Sequence, residues 1–147
     1  MPGYSVIIPV FNAGRTLAAA LTSAVAQVPA PDEIIVVNDG STDDTAQIAR
    51  GFGAQVRLIS QPNAGPGAAT MAGIAASRMP VLAFLDADDI WLPGKMAAQL
   101  ACLAEHGTDR LIFTRMRQFN HATGDDGTGR VADGLSRSTL VLARATA

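Results

Sequence analysis

The sequence has little charge and almost no cysteine. Only 16% of its 147 residues are charged and the net charge is −2, whereas roughly 25% charged residues are usual in globular proteins. This composition argues against a protein that binds nucleic acid through a broad basic surface. The single cysteine, Cys102, cannot form an intrachain disulfide. We therefore expect the protein to be cytoplasmic and Cys102 to be a small core residue on a helix.

Long apolar runs are also missing. No run approaches the ~20 residues that span a bilayer, and the N-terminus lacks the basic segment of a signal peptide. We therefore expect no transmembrane segment. Hydrophobic residues make up 48% of the chain, as in soluble globular proteins, and the length suits a single domain over residues 1–147.

Short apolar runs alternate with helical patterns. Runs rich in β-branched residues are typical of strands buried on both faces, and they predict strands at residues 5–9, 34–37, 56–60, 81–85 and 111–113. Helices are predicted between them. The first carries an apolar stripe at Leu17, Leu21, Ala24 and Val25, and the others cover residues 41–52, 68–77 and 93–105. Ser41 is expected to cap the second helix, ahead of Asp44 in its first turn, and Pro93 to begin the fourth.

This alternation predicts an α/β fold with a mainly parallel sheet and helices on both faces. Ligands of such sheets bind at the carboxyl ends of the strands. Residues 120–134 are rich in Gly and Asp and predict a mobile loop. The last apolar run, residues 140–142, is expected to be an exposed edge that pairs with a second copy of the chain or stays disordered. A homo-oligomer is therefore expected as one option.

An acidic cluster, Asp86-Ala87-Asp88-Asp89, follows the fourth predicted strand. Three carboxylates in four residues repel one another unless water or a cation compensates them. Oxygen ligands of this kind suit Mg²⁺ or Mn²⁺, which commonly takes one or two carboxylates together with substrate phosphates. The competing interpretation is a solvated acidic turn that caps the next helix.

Other polar and aromatic residues lie at strand ends. Asp39 could accept hydrogen bonds from a base or a ribose, although Asn-Asp-Gly-Ser is also a good turn. Residues 63–67 could bring backbone close to phosphates, or simply connect two elements. Phe11 could stack on a base or lie at a rim, and Trp91 could pack against a sugar ring or cover the start of a helix. His106, His121, Asp125 and Asp126 are expected at the surface.

Three segments together resemble the family 2 glycosyltransferases of GT-A fold. Residues 5–12 (SVIIPVFN) are similar to that family's opening strand and nucleotide loop, residues 33–43 (EIIVVNDGSTD) to its second strand and base-binding aspartate, and residues 85–95 (LDADDIWLPGK) to its D-x-D metal motif and following helix. The resemblance covers about residues 4–105. It implies a Rossmann-like GT-A fold and transfer of sugar from a nucleotide-diphospho-sugar donor.

The resemblance also implies roles for individual residues. Asp39 would contact the base, Asp86 the ribose or the metal shell, and Asp88 the Mg²⁺ or Mn²⁺ ion that bridges the diphosphate. The residues expected to bind the donor are Pro9, Val10, Phe11, Asn12, Asp39, Gly67, Asp86 and Ala87. The implied chemistry is inverting: the hydroxyl of an unknown saccharide, lipid or protein acceptor attacks the anomeric carbon, helped by a carboxylate base.

Two departures from the family pattern bear on function. Ala69-Thr70-Met71 stands where the family often has Ala-Arg-Asn, whose arginine helps to hold the nucleotide, so the donor nucleotide stays open. No residue matches the family's base motif. We expect that base beyond Ala147, which would make this chain the N-terminal nucleotide-sugar-binding part of a truncated fold, with the acceptor-binding half missing or incomplete.

Two alternatives remain. The first is a non-catalytic nucleotide-binding module or remnant that lacks the catalytic base. The second is a phosphoryl enzyme of the haloacid dehalogenase type, with Asp86 as nucleophile and Asp88 as acid. That family has Gly-Thr after the second aspartate, on the first strand of the domain, whereas Asp89-Ile90 follows here on the fourth. The second alternative therefore fits less well.

Overall fold

A computed structural model of the chain describes residues 1–107, 111–114 and 141–143. Within these residues, six strands form one sheet in the order β3-β2-β1-β4-β6-β5. The strands are β1 (Tyr4–Val10), β2 (Glu33–Asp39), β3 (Arg57–Gln61), β4 (Val81–Phe84), β5 (Leu111–Ile112) and β6 (Val141–Ala143). Strands β1 to β4 pair in parallel, and β6 is antiparallel to both of its neighbours. The mainly parallel sheet is confirmed, and the five predicted strands occur with ends displaced by at most two residues.

Helices cover both faces of the sheet, as predicted. In the described residues they are α1 (Leu17–Val25), α2 (Thr45–Gly51), α3 (Pro66–Ala76) and α4 (Lys95–His106), with one 3-10 turn at Gly53–Gln55. Successive side chains of a strand point to opposite faces. Thus Ile34 and Val36 of β2 join the large core cluster that contains buried residues of α1, α2 and α4, whereas Ile35 and Val37 pack with Ala69 of α3. No helix in the described ranges has the length and apolarity needed to cross a bilayer.

Helix α3 lies unusually close to the sheet at Gly73. A Cβ atom added there would lie 2.5 Å from Cγ2 of Ile7 and 3.3 Å from Cγ2 of Val37. The absence of a side chain at Gly73 therefore sets the distance between α3 and the first two strands. Hydrogen bonds from the backbone N–H groups of Ala64 and Gly65 to Asp39 place the N-terminus of α3 at the carboxyl edge of the sheet, beside the loop that follows β2.

Two predicted helix starts are wrong. Helix α2 begins at Thr45 with Asp44 in the cap position, so Ser41 does not cap it; the Ser41 hydroxyl instead accepts a hydrogen bond from the loop after β1. Helix α4 begins at Lys95 rather than Pro93, because Gly94 adopts a left-handed conformation with φ of 80° and separates the proline from the helix. In both cases a tertiary or backbone constraint overrides a local start signal.

The expectation of an exposed last strand is also wrong. Strand β6 lies between β4 and β5 and pairs with both, so it is not an open edge of the sheet. The argument for a homo-oligomer from an exposed last strand therefore no longer applies. The predicted loop at residues 120–134 lies outside the described residues, as do His121, Asp125, Asp126 and Leu140.

Candidate functional site

The loops that follow β1 and β2 are joined by hydrogen bonds at the carboxyl edge of the sheet. The backbone N–H of Asn12 donates to Oγ of Ser41 at 2.9 Å, and the backbone N–H of Thr42 donates to Oδ1 of Asn12 at 2.8 Å. Asn12 adopts a positive φ of 49°, which an Asn tolerates better than most residues. Oδ1 of Asn38 accepts the backbone N–H of Ser41 at 3.0 Å. The two loops therefore form one rigid surface.

A second set of contacts fixes the start of α2 to the same surface. The backbone N–H groups of Ala13 and Gly14 donate to Oγ1 of Thr45 and Oδ2 of Asp43, each at 2.9 Å. The Thr45 hydroxyl donates to Oδ1 of Asp43, and this bond is the largest cause that lowers the pKa of Asp43. These residues were not among the predicted site residues. The signal that could have revealed them is the tendency of Ser, Thr, Asn and Asp side chains to bond nearby backbone groups in turns.

Asp39, at the end of β2, is buried and already holds three donors. Its Oδ1 accepts the amide of Gln61 at 2.7 Å and the backbone N–H of Ala64 at 2.9 Å, and its Oδ2 accepts the backbone N–H of Gly65 at 2.8 Å. The hydrogen bond from Ala64 is the largest cause that keeps the pKa of Asp39 below its ordinary value. Asp39 therefore fixes the loop that leads into α3, a role that its position in a turn-like sequence did not predict.

The same loop approaches the residue after Asp39. Gly40 has a φ of 77°, and a Cβ atom added there would lie 2.8 Å from the backbone nitrogen of Asn63. Only glycine meets both conditions without strain. The predicted phosphate loop, residues 63–67, is thus held against the end of β2 rather than standing free. Gly67 is exposed, and an added Cβ would meet no atom within 4 Å.

The acidic cluster lies directly after β4. Leu85 and Ala87 are buried in the core, whereas Asp86 and Asp88 are exposed and Asp89 is half-buried. Partial burial and then the charge of Asp88 raise the pKa of Asp86. Burial, followed by the charges of Asp86 and Asp88, raises the pKa of Asp89. The alternation of anchored apolar and exposed acidic residues presents two carboxylates at the sheet edge under mutual repulsion.

The carboxylates of the acidic cluster could supply only part of the ligand shell of a divalent cation. Among the described residues, no group of three or more His, Cys, Asp or Glu side chains could hold a metal ion by itself. Asp86 and Asp88 supply hard oxygen ligands, and Mg²⁺ or Mn²⁺ is commonly bound through one or two carboxylates with phosphates and water completing the shell. The residues present therefore fit an ion that arrives with a phosphorylated ligand, not one held in a protein cage.

The segment after the acidic cluster is fastened to α1. The backbone N–H of Trp91 donates to Oγ of Ser23 at 3.0 Å. The side-chain amide of Gln27 donates to the carbonyl of Leu92 at 3.1 Å and accepts the backbone N–H of Met96 at 3.1 Å. Trp91 itself is buried, 3% exposed, which favours its interpretation as the cover of the helix start over that of a sugar-binding surface. The anchors Ser23 and Gln27 were not predicted.

The remaining predicted site residues are at the end of β1. Phe11 is 51% exposed, so it lies at the rim, where an aromatic ring is open to a ligand. Val10 is buried and Pro9 is half-buried, so the donor could meet them mainly through the backbone. On α4, His106 is exposed as expected, whereas Cys102 is half-buried rather than in the core.

A groove of about 480 Å³ runs between α1 and residues 90–93. Its walls are mostly small or apolar, with Ala18, Ala19, Ala26, Ile90 and Pro93 among them. It contains no charged side chain that could pair with a diphosphate. The loops at the ends of β1, β2 and β4 include Asp86 and Asp88, which could meet a diphosphate through a divalent cation, so they are the better candidate for a nucleotide.

The chain is similar in sequence to known proteins. The sequence profile described as glycosyl transferase family 2 matches residues 5–137. An uncharacterised glycosyltransferase of Nostoc sp. is 43% identical over 96 residues, which are 63% of this chain and 30% of that protein. Succinoglycan biosynthesis protein ExoU of Rhizobium meliloti is 41% identical over 100 residues, 65% of this chain and 29% of that protein. The chain thus spans less than a third of the length of these relatives.

Solved structures show the same fold. S. aureus TarS in complex with UDP-GlcNAc superposes with a TM-score of 0.72 at 26% identity, over 81% of this chain and 36% of that one. M. tuberculosis glucosyl-3-phosphoglycerate synthase, solved with Mn²⁺, UDP and phosphoglyceric acid, gives a TM-score of 0.62 at 28% identity, over 75% of this chain and 42% of that one. The predicted GT-A fold is confirmed, and the chain belongs to glycosyltransferase family 2.

Proposed function

We propose that this chain is the nucleotide-sugar-binding part of a glycosyltransferase that depends on Mg²⁺ or Mn²⁺. The observation that carries the proposal is the pair of exposed carboxylates, Asp86 and Asp88, which stand at the carboxyl end of β4 on either side of buried Ala87. Their mutual repulsion is relieved by a cation that also neutralises a diphosphate. The complexes of the two solved relatives with UDP-GlcNAc and with Mn²⁺ and UDP support this assignment.

The base of the donor would lie near Asp39 and Phe11. Asp39 uses three acceptor positions on Gln61, Ala64 and Gly65, and an ionised carboxylate has about four. One position is therefore left for an N–H of the base or a hydroxyl of the ribose. The exposed ring of Phe11 is available to cover the base. The loops joined by hydrogen bonds at Asn12 would lose little conformational entropy when the ligand binds, because their conformation is already fixed.

The diphosphate would lie between the start of α3 and the acidic cluster. Helix N-termini favour anions because their first backbone N–H groups are unpaired and the helix dipole is positive there. Gly67 lies in the first turn of α3 with open space around it, so a phosphate could approach its backbone. Asp88, with Asp86, would hold the divalent ion, which supplies charge stabilisation for the departing nucleoside diphosphate.

The reaction we propose is an inverting transfer. The oxygen of an acceptor hydroxyl forms a bond to the anomeric carbon while the bond from that carbon to the diphosphate oxygen breaks. The hydroxyl proton passes to a carboxylate base, and the nucleoside diphosphate leaves with the electron pair of the broken bond. The acceptor is a saccharide, a lipid or a protein, and the single cysteine suits a reducing, cytoplasmic setting.

A donor-turnover assay tests this function. UDP-, GDP- and dTDP-sugars are incubated with two samples, the chain itself and the longest gene product that contains it. Each incubation is carried out with Mn²⁺, with Mg²⁺ and with EDTA. Release of nucleoside diphosphate is measured with and without candidate acceptors. We expect metal-dependent release from one donor class, stimulated by acceptor in the longer protein. Metal-dependent donor binding with no transfer or hydrolysis in either protein would instead favour a non-catalytic nucleotide-binding module.

A further inference from the structure

The only lysine of the sequence lies on its only tryptophan. Nζ of Lys95 is 4.1 Å from the centroid of the Trp91 ring, within the ~6 Å range of a cation–π interaction. Trp91 follows Asp89 by two residues and its ring is buried. The position of this ring therefore limits where the preceding acidic turn, residues 86–89, can lie.

Lys95 also links the Trp91 ring to the sheet through Gln99. Its ammonium donates to Oε1 of Gln99, and Nε2 of Gln99 donates to the carbonyl of Ile112 in β5 at 3.3 Å. Gln99 is 1% exposed. A polar path thus runs from the buried Trp91 ring through half-buried Lys95 and buried Gln99 to β5. The path joins the segment after the acidic turn to β5, the edge strand that β6 separates from β4.

The surroundings of Lys95 disfavour its charged form. Burial lowers the pKa of Lys95 to about 7, and the partners described for its ammonium, the Trp91 ring, Gln99 and the sulfur of Met96, are all uncharged. Lys95 also stands in the first turn of α4, where the helix dipole disfavours a cation. A methionine would fill the same space without a buried charge.

We propose that Lys95 is a positioning residue that holds the acidic turn, residues 86–89, through its contact with Trp91. The ammonium contacts the ring of Trp91, and the Ser23 hydroxyl accepts the backbone N–H of the same residue. Residues that orient the ligands of a metal ion typically change its affinity by about 10- to 100-fold when they are replaced. The inference rests on the proposed function only for the identity of the ligand.

The first test needs no ligand. Hydrogen exchange of the backbone amides at residues 86–91 is compared in the wild type, Lys95→Met and Lys95→Arg. The control for loss of a positive charge is Arg50→Met, at an exposed position of α2. We expect about 10-fold faster exchange in Lys95→Met only, because Arg retains the contact with the ring. Unchanged exchange in Lys95→Met, or equal acceleration in Lys95→Arg, overturns the proposal.

The second test separates positioning from packing. Affinity for UDP with Mn²⁺ is measured by calorimetry, and stability by urea unfolding. We expect Lys95→Met to bind UDP with Mn²⁺ about 10-fold more weakly than the wild type, although its unfolding midpoint does not fall. We expect Lys95→Arg to bind as the wild type does. Affinity that falls only together with stability overturns the positioning role. If the wild type does not bind UDP with Mn²⁺, the proposed function fails, and the exchange experiment still decides the role of Lys95.

Discussion

The backbone N–H of Gly65 donates a hydrogen bond of 2.8 Å to Oδ2 of Asp39. This bond joins the end of β2 to the residue before α3, across 26 positions of sequence. In the proposed nucleotide site, this one side chain both shapes the loop and offers an acceptor to the nucleotide. A change at Asp39 should therefore affect ligand binding by two routes.

Replacement of Asp39 by Ala should weaken nucleotide binding by about 10- to 100-fold, because a charged hydrogen-bond acceptor is lost and the loop is released. Asp39→Asn keeps one oxygen and should have an intermediate effect. Calorimetry with UDP measures the affinity, and circular dichroism checks that both variants fold. An affinity within about twofold of the wild type for Asp39→Ala, or an unfolded variant, would count against the assignment.

Glu33 should support stability at the opposite end of the sheet. It is 5% exposed in its side chain and accepts the Ser5 hydroxyl at 2.8 Å and the backbone N–H of Arg78 at 3.0 Å. Glu33→Ala leaves both donors without this acceptor, which typically costs about 1.5–3 kcal/mol. Urea unfolding measures the loss, and Glu105→Ala, at an exposed position of α4, is the control, expected to be close to neutral. Equal midpoints for the two variants would contradict the role of Glu33.

The same carboxylate should shape the acid limb of stability. Burial alone would raise the pKa of Glu33, but hydrogen bonds from Ser5 and Arg78 and the charge of Arg78 bring it below the ordinary value of 4.5. The folded state therefore binds this proton less readily than the unfolded chain. The contribution is present above about pH 4.5 and is lost as pH falls through the folded value. Glu33→Gln should lose stability at neutral pH and show a flatter acid limb.

Lys95 should produce the opposite slope at higher pH. Its pKa is about 7 in the folded chain against 10.5 for an ordinary lysine, so the unfolded chain binds more protons between these values. Stability should therefore rise as pH increases from about 7 towards 10.5, and the full cost of the buried charge should be present below pH 7. Lys95→Met should remove this rise in a series of urea midpoints. A slope that persists in the variant would show that another group titrates.

Gly73→Ala should destabilise the chain by overpacking. The new Cβ would lie 2.5 Å from Cγ2 of Ile7, and such insertions typically cost about 1–3 kcal/mol. This exceeds the gain of about 1 kcal/mol that Ala offers over Gly in a helix. Gly51→Ala is the matched control, because its Cβ would meet no atom within 4 Å. A loss of stability in Gly51→Ala but not in Gly73→Ala would refute the packing argument.

The sequence predicts the strands well and the contacts between loops poorly. Residues 34–37 are continuously β-branched and apolar, so β2 is recognisable from local composition, and the rule that ligands bind at strand ends selects Asp39 and Asp86. The partners of these residues are not local. Asp39 contacts a loop 25 positions away, Trp91 bonds Ser23 at a separation of 68, and β6 inserts between β4 and β5. Only the folded chain reveals such pairings.

The most direct test is the dependence of UDP binding on a divalent ion and on Asp88. Calorimetric titrations of UDP, GDP and dTDP are carried out with Mn²⁺, with Mg²⁺ and with EDTA, on the wild type, Asp88→Ala and the control Glu105→Ala. We expect one nucleotide to bind in the presence of metal, and EDTA and Asp88→Ala each to weaken that binding by about 10-fold or more, as loss of a metal ligand requires. Equal binding in EDTA, or an affinity in Asp88→Ala that matches the control, would contradict a metal-bridged diphosphate at this site.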